Sequence, residues 1–399
     1  MKNIFLITLV FSFLFQSCTT NSSQNENQLI AKANDENVEI ESPNTEIAEP
    51  KKDDVQDRLT PPSFESRLLW HPKGEKHNYS SPDYNRIFIN PYLGFVTFDS
   101  SFKQAFEHPL ETKNLYVKAK GLSSLPDDII KLQNLERLTI VGANLINFSK
   151  DIEKLAQLPN LKALDLTGCN LLSLPKNINL LQQVEAIYLG FNNLKLLPEE
   201  ICELKNLAYL NLYNNRPFIK LPNSLGKLKS LEALLIAGTK VSTFPESIGD
   251  CDKLLHITAN ACRLEKLPDS FGDMENLMDF NFGSNNLKEL PKTFGNLPRL
   301  RIAHLSNNKL KSLPANFGKL DNLLTSNFDG NLFTEFPMQL LELKNYLGMN
   351  FVQNNIKYIP LQVTEMKYMD QIIFDSVDIR QTNLDSIAIL NSNIKLWKQ

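Results

Sequence analysis

The chain has 399 residues, 42% of them hydrophobic and 22% charged, with a formal net charge of −3 at pH 7. Charge is close to neutral, and neither a basic stripe nor an interleaving of aromatic and basic residues is evident along the chain, which argues against nucleic-acid binding. The sequence contains no glycine-rich phosphate loop, no zinc-spaced Cys/His cluster and no nucleophile elbow, which argues against an enzyme and against a cofactor.

The N-terminus opens with Lys2 and a largely apolar run of twelve residues from Ile4 to Phe15, followed by Gln16-Ser17-Cys18. Such a run is too short to span a bilayer and suits the core of a signal peptide. A small residue directly before a cysteine resembles the bacterial lipoprotein cleavage box, although Phe15 stands where leucine is commoner. The resemblance implies removal of residues 1–17 and lipidation of Cys18, with the membrane contacted through that anchor only. Residues 18–64 are rich in Asn, Ser, Glu and Asp. Between Thr19 and Arg58 ten acids face four bases, a balance of −6. This composition buries too little apolar surface to offset ordering, so a disordered tether of about 45 residues is expected, with a root-mean-square reach of roughly 35–40 Å. Residues 65–111 read as an N-terminal cap. Asp99-Ser100-Ser101 before Phe102, Ala105 and Phe106, with Pro109 beyond, predicts one short capped helix. Trp70, Tyr84, Phe88 and Tyr92 are the candidates to cover the first repeat.

From residue 112 to 368 the chain repeats. Proline follows a leucine-like residue at Pro126, Pro175, Pro198, Pro222, Pro245, Pro268, Pro291, Pro314, Pro337 and Pro360. Seven of the nine gaps are 23 residues, one is 24, and the 49-residue gap spans a repeat in which Ser149 replaces proline. The unit reads L-x-x-L-x-L-x-x-N-x-L-x-x-L-P-x-x-I-x-x-L-x-x. Eleven copies begin at Thr112, Leu135, Leu161, Val184, Leu207, Leu231, Leu254, Leu277, Leu300, Leu323 and Tyr346. A fixed period of this length predicts a solenoid. L-x-L places two side chains on one face of a short strand, and stacking the units buries that face. The ninth position carries Asn192, Asn215, Asn285, Asn308, Asn331 and Asn354, with Cys169, Thr239 and Cys262 as substitutes. A buried ladder of asparagines satisfying backbone groups is expected there.

These units resemble the typical leucine-rich repeat family in its L-P-x-x-I variety. The resemblance implies an α/β-type repeat solenoid: a horseshoe with a concave parallel sheet and an irregular or short-helical convex side. It also implies protein binding through the concave face. Three extra residues around Lys154-Leu155-Ala156-Gln157 read as a longer outer loop. Beyond Lys367 the pattern decays; Met369, Ile372 and Phe374 begin a twelfth strand, and Leu384, Ile387, Ile389 and Trp397 are expected to close residues 369–399.

Cys169 and Cys262 occupy equivalent positions four repeats apart, about 19 Å at the strand spacing, which is too far for a disulfide. Cys251 fills a core slot and Cys202 is expected on the outer face. His256, Asp279 and His304 fall on successive repeats at inward offsets, but two histidines about 10 Å apart do not reach one metal ion.

Positions three, five and seven of each unit face the concavity. Tyr188, Tyr209 and Tyr213 concentrate there, with Ala186, Gly190 and Ala233 leaving room beside them, and the only one-residue insertion of the regular array lies at Asn215–Lys220. Tyrosine combines apolar area with a polar tip and dominates many interfaces. Tyr188, Tyr209, Tyr213 and Leu235 are therefore the expected anchors, Arg216 a charged contact, and Asn211, His256, Asn281, His304 and Asn327 a hydrogen-bonding strip. The leading expectation is a non-catalytic recognition lipoprotein of a Gram-negative envelope with a protein partner. Alternatives are a glycan-binding surface protein using Tyr and Asn, and an intracellular signalling scaffold if the N-terminus is not a signal peptide.

Overall fold

The structure, a computed structural model, describes residues 101–145, 148–375 and 381–398. These lie in the second of two compact units, His71–Gln399. The expectations for Cys18, the 18–64 segment, Trp70, Tyr84, Phe88 and Tyr92 lie outside the described residues.

Each L-x-L segment is a short strand, and the strands pair side by side in chain order. They are β1 (Asn114–Lys118), β2 (Arg137–Val141), β3 (Ala163–Asp165), β4 (Ala186–Tyr188), β5 (Tyr209–Asn211), β6 (Ala233–Leu235) and β7 (His256–Thr258). The series continues with β8 (Asp279–Asn281), β9 (Ile302–His304), β10 (Thr325–Asn327), β11 (Gly348–Asn350), β12 (Gln371–Phe374) and β13 (Lys395–Lys398). Among the described residues they form one 13-stranded parallel sheet. Pairing never slips register, so equivalent positions form straight rows: Ile187 opposes Leu210, which opposes Leu234. Register matters because a one-residue slip would turn every leucine to the wrong face.

The conserved-looking spacing of proline has a local cause. Pro126, Pro175 and Pro198 each precede a single turn of 3-10 helix with φ between −60° and −74°. Their carbonyls accept from Ile129, Ile178 and Ile201, three residues on. Proline supplies the required φ and has no N–H to leave unpaired. A 23-residue unit has room for only this one turn. The Leu135 unit, three residues longer, corrects the expectation of an outer loop: it holds the α-helix α2 (Phe148–Leu155). The extra residues complete the turns that place Phe148, Ile152 and Leu155 on one buried stripe. Buried Asp151 on the same helix accepts from Ser124 Oγ at 2.6 Å and Leu125 N at 2.9 Å.

The ninth-position asparagines bind the array together. Asn192 accepts from Leu171 N at 2.9 Å through Oδ1, and its Nδ2 lies 2.9 Å from both Leu166 O and Leu189 O. Asn285, Asn308, Asn331 and Asn354 repeat the pattern. Cys169 and Cys262 substitute with one donor: each Sγ–H reaches the equivalent carbonyl, Ile140 O at 3.0 Å and Ile236 O at 3.2 Å. Burial pushes the Cys169 thiol up to about 11, so it keeps the proton it donates. Cys202 corrects the expectation of an outer-face residue: it is 1% exposed, and burial pushes its thiol up to about 11 as well.

Within the core, phenylalanines replace leucines and isoleucines in the second half of the array. Phe271, Phe294 and Phe317 hold the same slot in consecutive units and stack nearly parallel, with centroids 6.0 and 5.8 Å apart. The polar intrusions are partnered: Thr112 Oγ1 donates to His108 O at 3.2 Å, and Ser326 hydrogen-bonds the Tyr346 hydroxyl.

Helices stand at both ends. In α1 (Phe102–Glu107), Ser101 caps the N-terminus by accepting from Gln104 N at 3.2 Å. At the far end α3 (Gln381–Leu390) precedes β13. Leu384 and Ile387 are buried there, whereas Ile389, expected to help close the end, is 81% exposed. A ten-residue helix turns one face inward, and Ile389 lies off that face.

Candidate binding surface

In-register pairing collects positions three, five and seven of every unit on the concave side. There, Tyr188 and Tyr209 lie with ring centroids 4.9 Å apart among Ala163, Ala186 and Ala233, with Leu235 half-buried beside them. The two tyrosines are only 7% and 6% exposed. This corrects the expectation that both project as anchors. Small alanines let the rings fold down against the sheet and against each other, so most of their apolar area is already used by the fold. Burial pushes the Tyr209 phenol up to about 12, against the opposing hydrogen bond with Asn211.

Tyr213 differs. It is 42% exposed and packs against Phe191, 57% exposed, at a centroid distance of 5.3 Å. Phe191 was absent from the expected site residues. Its backbone is left-handed, with φ of 54°, as is position eight of the two units before it and of every later unit. Most other units place Gly142, Gly168, Asn214, Gly238, Asn307 or Gly330 there, residues that tolerate the conformation, while Ala261, Ser284 and Gln353 adopt it as well. A bulky aromatic in this region is strained, and strained positions concentrate at functional sites. The signal was readable in sequence as the one aromatic in a column otherwise filled by Gly, Asn, Ala, Ser and Gln. Replacing Phe191 by glycine is expected to raise the unfolding free energy by up to about 1 kcal/mol, because relief of the left-handed strain exceeds the lost ring contact. A urea-denaturation midpoint that falls in Phe191→Gly would contradict this.

The hydrogen-bonding strip is also partly committed to the fold. Asn211, Asn281 and Asn327 each accept, through Oδ1, the backbone N–H two residues on, at 2.8, 3.0 and 2.9 Å. These closures end the strands, as asparagine side chains commonly do. Arg216, exposed at the insertion, donates from Nε to Asn214 Oδ1 at 3.4 Å. Buried His256 pairs through Nδ1 with the Asp279 carboxylate, and half-buried His304 lies one strand further on. Burial holds the His304 imidazole below its usual range, opposed by the charge of Asp279. Among the described residues no group of three His, Cys, Asp or Glu side chains is placed to hold a metal ion. Asp329, further along the strip, is pushed up to about 6 by burial, with the Asp375 charge adding to the effect.

The sheet, the asparagine ladder and the 3-10 returns together make this fold a leucine-rich repeat solenoid. No protein-family model matches the sequence, and no curated protein matches it. Solved structures do. An internalin, InlF of Listeria monocytogenes, is 19% identical, with a TM-score of 0.62 over 74% of this chain and 83% of its own. The Drosophila Toll–Spatzle complex gives 20% identity and a TM-score of 0.60, covering 75% of this chain and 46% of that one. A plant peptide hormone receptor, RGFR1 in complex with RGF2, gives 22% and 0.57, covering 75% of this chain and 50% of the receptor. This chain thus spans about half the length of the last two. At these identities the likeness concerns the fold.

Proposed function

We propose that the chain is a non-catalytic recognition protein that binds a protein partner through the concave face, centred on Phe191 and Tyr213. The observation that carries this reading is the strained, exposed Phe191 beside the exposed Tyr213. An aromatic pair kept in water at a cost in backbone energy has no account within the fold, whereas aromatic anchors supply much of the energy of interfaces. The complexes of Toll with Spatzle and of RGFR1 with RGF2 support a protein ligand for a solenoid of this shape. Tyr188 and Tyr209 now serve as the floor beneath the anchors. The N-terminal lipoprotein box supports placement in a bacterial envelope, tethered through Cys18 to the outer membrane.

The test has two parts. A photo-crosslinking residue placed at position 213 of the full chain in its host should yield a protein adduct, and one at position 253 on the outer turns should not. In Phe191→Gly with Tyr213→Ala, partner affinity should fall by about 30-fold, or about 2 kcal/mol, with folding intact. Equal adducts at both positions, or unchanged affinity, would overturn the concave assignment. Protease shaving of intact cells then separates a surface partner from a periplasmic one.

A further inference from the structure

One edge of the solenoid, where the strands turn toward the 3-10 side, carries charge that the linear sequence conceals. A second ladder of backbone hydrogen bonds runs there, from position ten of one unit to position eleven of the one before: Lys240 N to Phe218 O, Arg263 N to Val241 O, and Lys309 N to Leu287 O. Residues at positions ten to thirteen are thereby held in rows about 4.8 Å apart. Position ten presents Arg216, Lys240, Arg263 and Lys309, all exposed. Positions twelve and thirteen add exposed Lys195, Lys220, Lys266, Lys288 and Lys311. Against these nine bases, with Lys357 at position twelve of the last unit as a tenth, stand three acids on the same rows, Glu265, Glu289 and Glu335, a balance of 10 − 3 = +7. Among the described residues, none of the nine bases forms an ion pair with a carboxylate. This corrects the reading that the chain has no basic stripe. The spacing hid it, because each unit contributes only one or two bases, and the compensating acids, such as Glu199, Glu246 and Asp273, sit on the 3-10 turns.

The same edge exposes aliphatic side chains. Leu172 is 65% exposed, Leu196 50%, Ile219 54% and Leu332 48%. Aliphatic groups gain nothing against the phosphates of a nucleic acid or the carboxylates of an acidic protein. At a bilayer they enter the boundary between headgroups and acyl chains while neighbouring lysines and arginines reach the anionic headgroups. We infer that this edge docks onto an anionic lipid surface, with the concave face left free to one side. The inference stands on the solenoid's own residues and requires neither lipidation nor the concave-face assignment.

The experiment is vesicle co-sedimentation of the full chain carrying Cys18→Ser, so that no acyl chain contributes. Vesicles of phosphatidylglycerol with phosphatidylcholine are compared with phosphatidylcholine alone. Binding should be stronger to the anionic vesicles and should weaken as salt rises from about 0.1 M to 1 M, as the Debye length falls from ~10 to ~3 Å. A variant with Lys240, Arg263, Lys266, Lys309 and Lys311 all changed to Gln should bind anionic vesicles roughly tenfold more weakly or worse, since each base near such a surface contributes substantially. The same lysines changed to Arg should bind like the parent. Circular dichroism of each variant confirms folding, and both backgrounds carry the same N-terminus, so only the difference reads the edge. Equal binding to neutral and anionic vesicles, or an unchanged Gln variant, would overturn the inference. So would binding of polyglutamate or single-stranded RNA without vesicle binding, which would assign the edge to a soluble polyanion.

Discussion

Replacing Phe271 by alanine is expected to lower the unfolding free energy by about 3–5 kcal/mol, measured by urea denaturation of the full chain. Phe271 is fully buried and touches four other rings: Phe244, Phe280, Phe282 and Phe294. Two of them stand edge-on and Phe294 lies parallel, at an interplanar angle of 3°. Removing the ring leaves a cavity that its neighbours fill poorly, because Phe294 is itself stacked on Phe317 at 5.8 Å. A solenoid adds a particular consequence. Each unit touches only its neighbours, so a weak interface in mid-array separates the units on either side into two cooperative blocks. The transition in Phe271→Ala should therefore broaden as well as shift, while Leu→Ala changes at the array ends should shift it alone. A loss below about 1.5 kcal/mol would mean that the stack collapses around the gap and that the phenylalanine column is not a rigid spine.

Much of this architecture was legible because the physics repeats with the sequence. Leu210, Leu212 and Leu221 fall on fixed offsets, and the structure buries each of them. Proline at its offset dictated where the 3-10 turn begins, and Asn192 where the ladder runs. What escaped was whatever depends on how neighbouring units crowd each other. Tyr188 and Tyr209 stand at concave positions, yet alanines on adjacent strands let them lie flat and become floor. Cys202 holds the slot that later units fill with Gly226, Gly249, Gly272, Gly295 and Gly318, where the next unit packs close, so its burial is set by its neighbour rather than by its own repeat. The three residues inserted near Lys154 looked like a loop because the unit's period, rather than the helical spacing of Phe148, Ile152 and Leu155, was being followed. Asn211 and Asn281 looked like free hydrogen-bonding groups, although an asparagine at a strand end commonly binds the N–H two residues on. The basic edge escaped for another reason: it exists only once lateral stacking sets Lys240, Arg263 and Lys266 side by side.

Asn308 offers the sharpest test of how the rows are kept in register. Asn308→Ala should cost about 3 kcal/mol or more, because it strands several buried backbone groups at once. Its Oδ1 accepts from Leu287 N at 3.0 Å, and its Nδ2 serves Phe282 O at 2.9 Å and Leu305 O at 3.1 Å. Those partners lie in two units, so the loss falls on the junction between them. The array itself supplies the control. Cys262 occupies the same position two repeats earlier, with one thiol donor aimed at Ile236 O. Asn308→Cys should therefore restore the donor to Phe282 O while leaving Leu287 N unserved, and cost about half as much as alanine. Equal losses for Ala and Cys would mean that the acceptor alone holds the junction, and equal stability of Asn308→Ala and the parent would remove the ladder from the account. The outcome reaches the binding surface, because the ladder fixes the lateral alignment of adjacent strands. The concave pair Phe191 and Tyr213 comes from two such neighbours, joined where Leu194 N donates to Asn215 Oδ1 at 3.0 Å. A junction loosened there moves one anchor relative to the other, so binding should fall before the fold does.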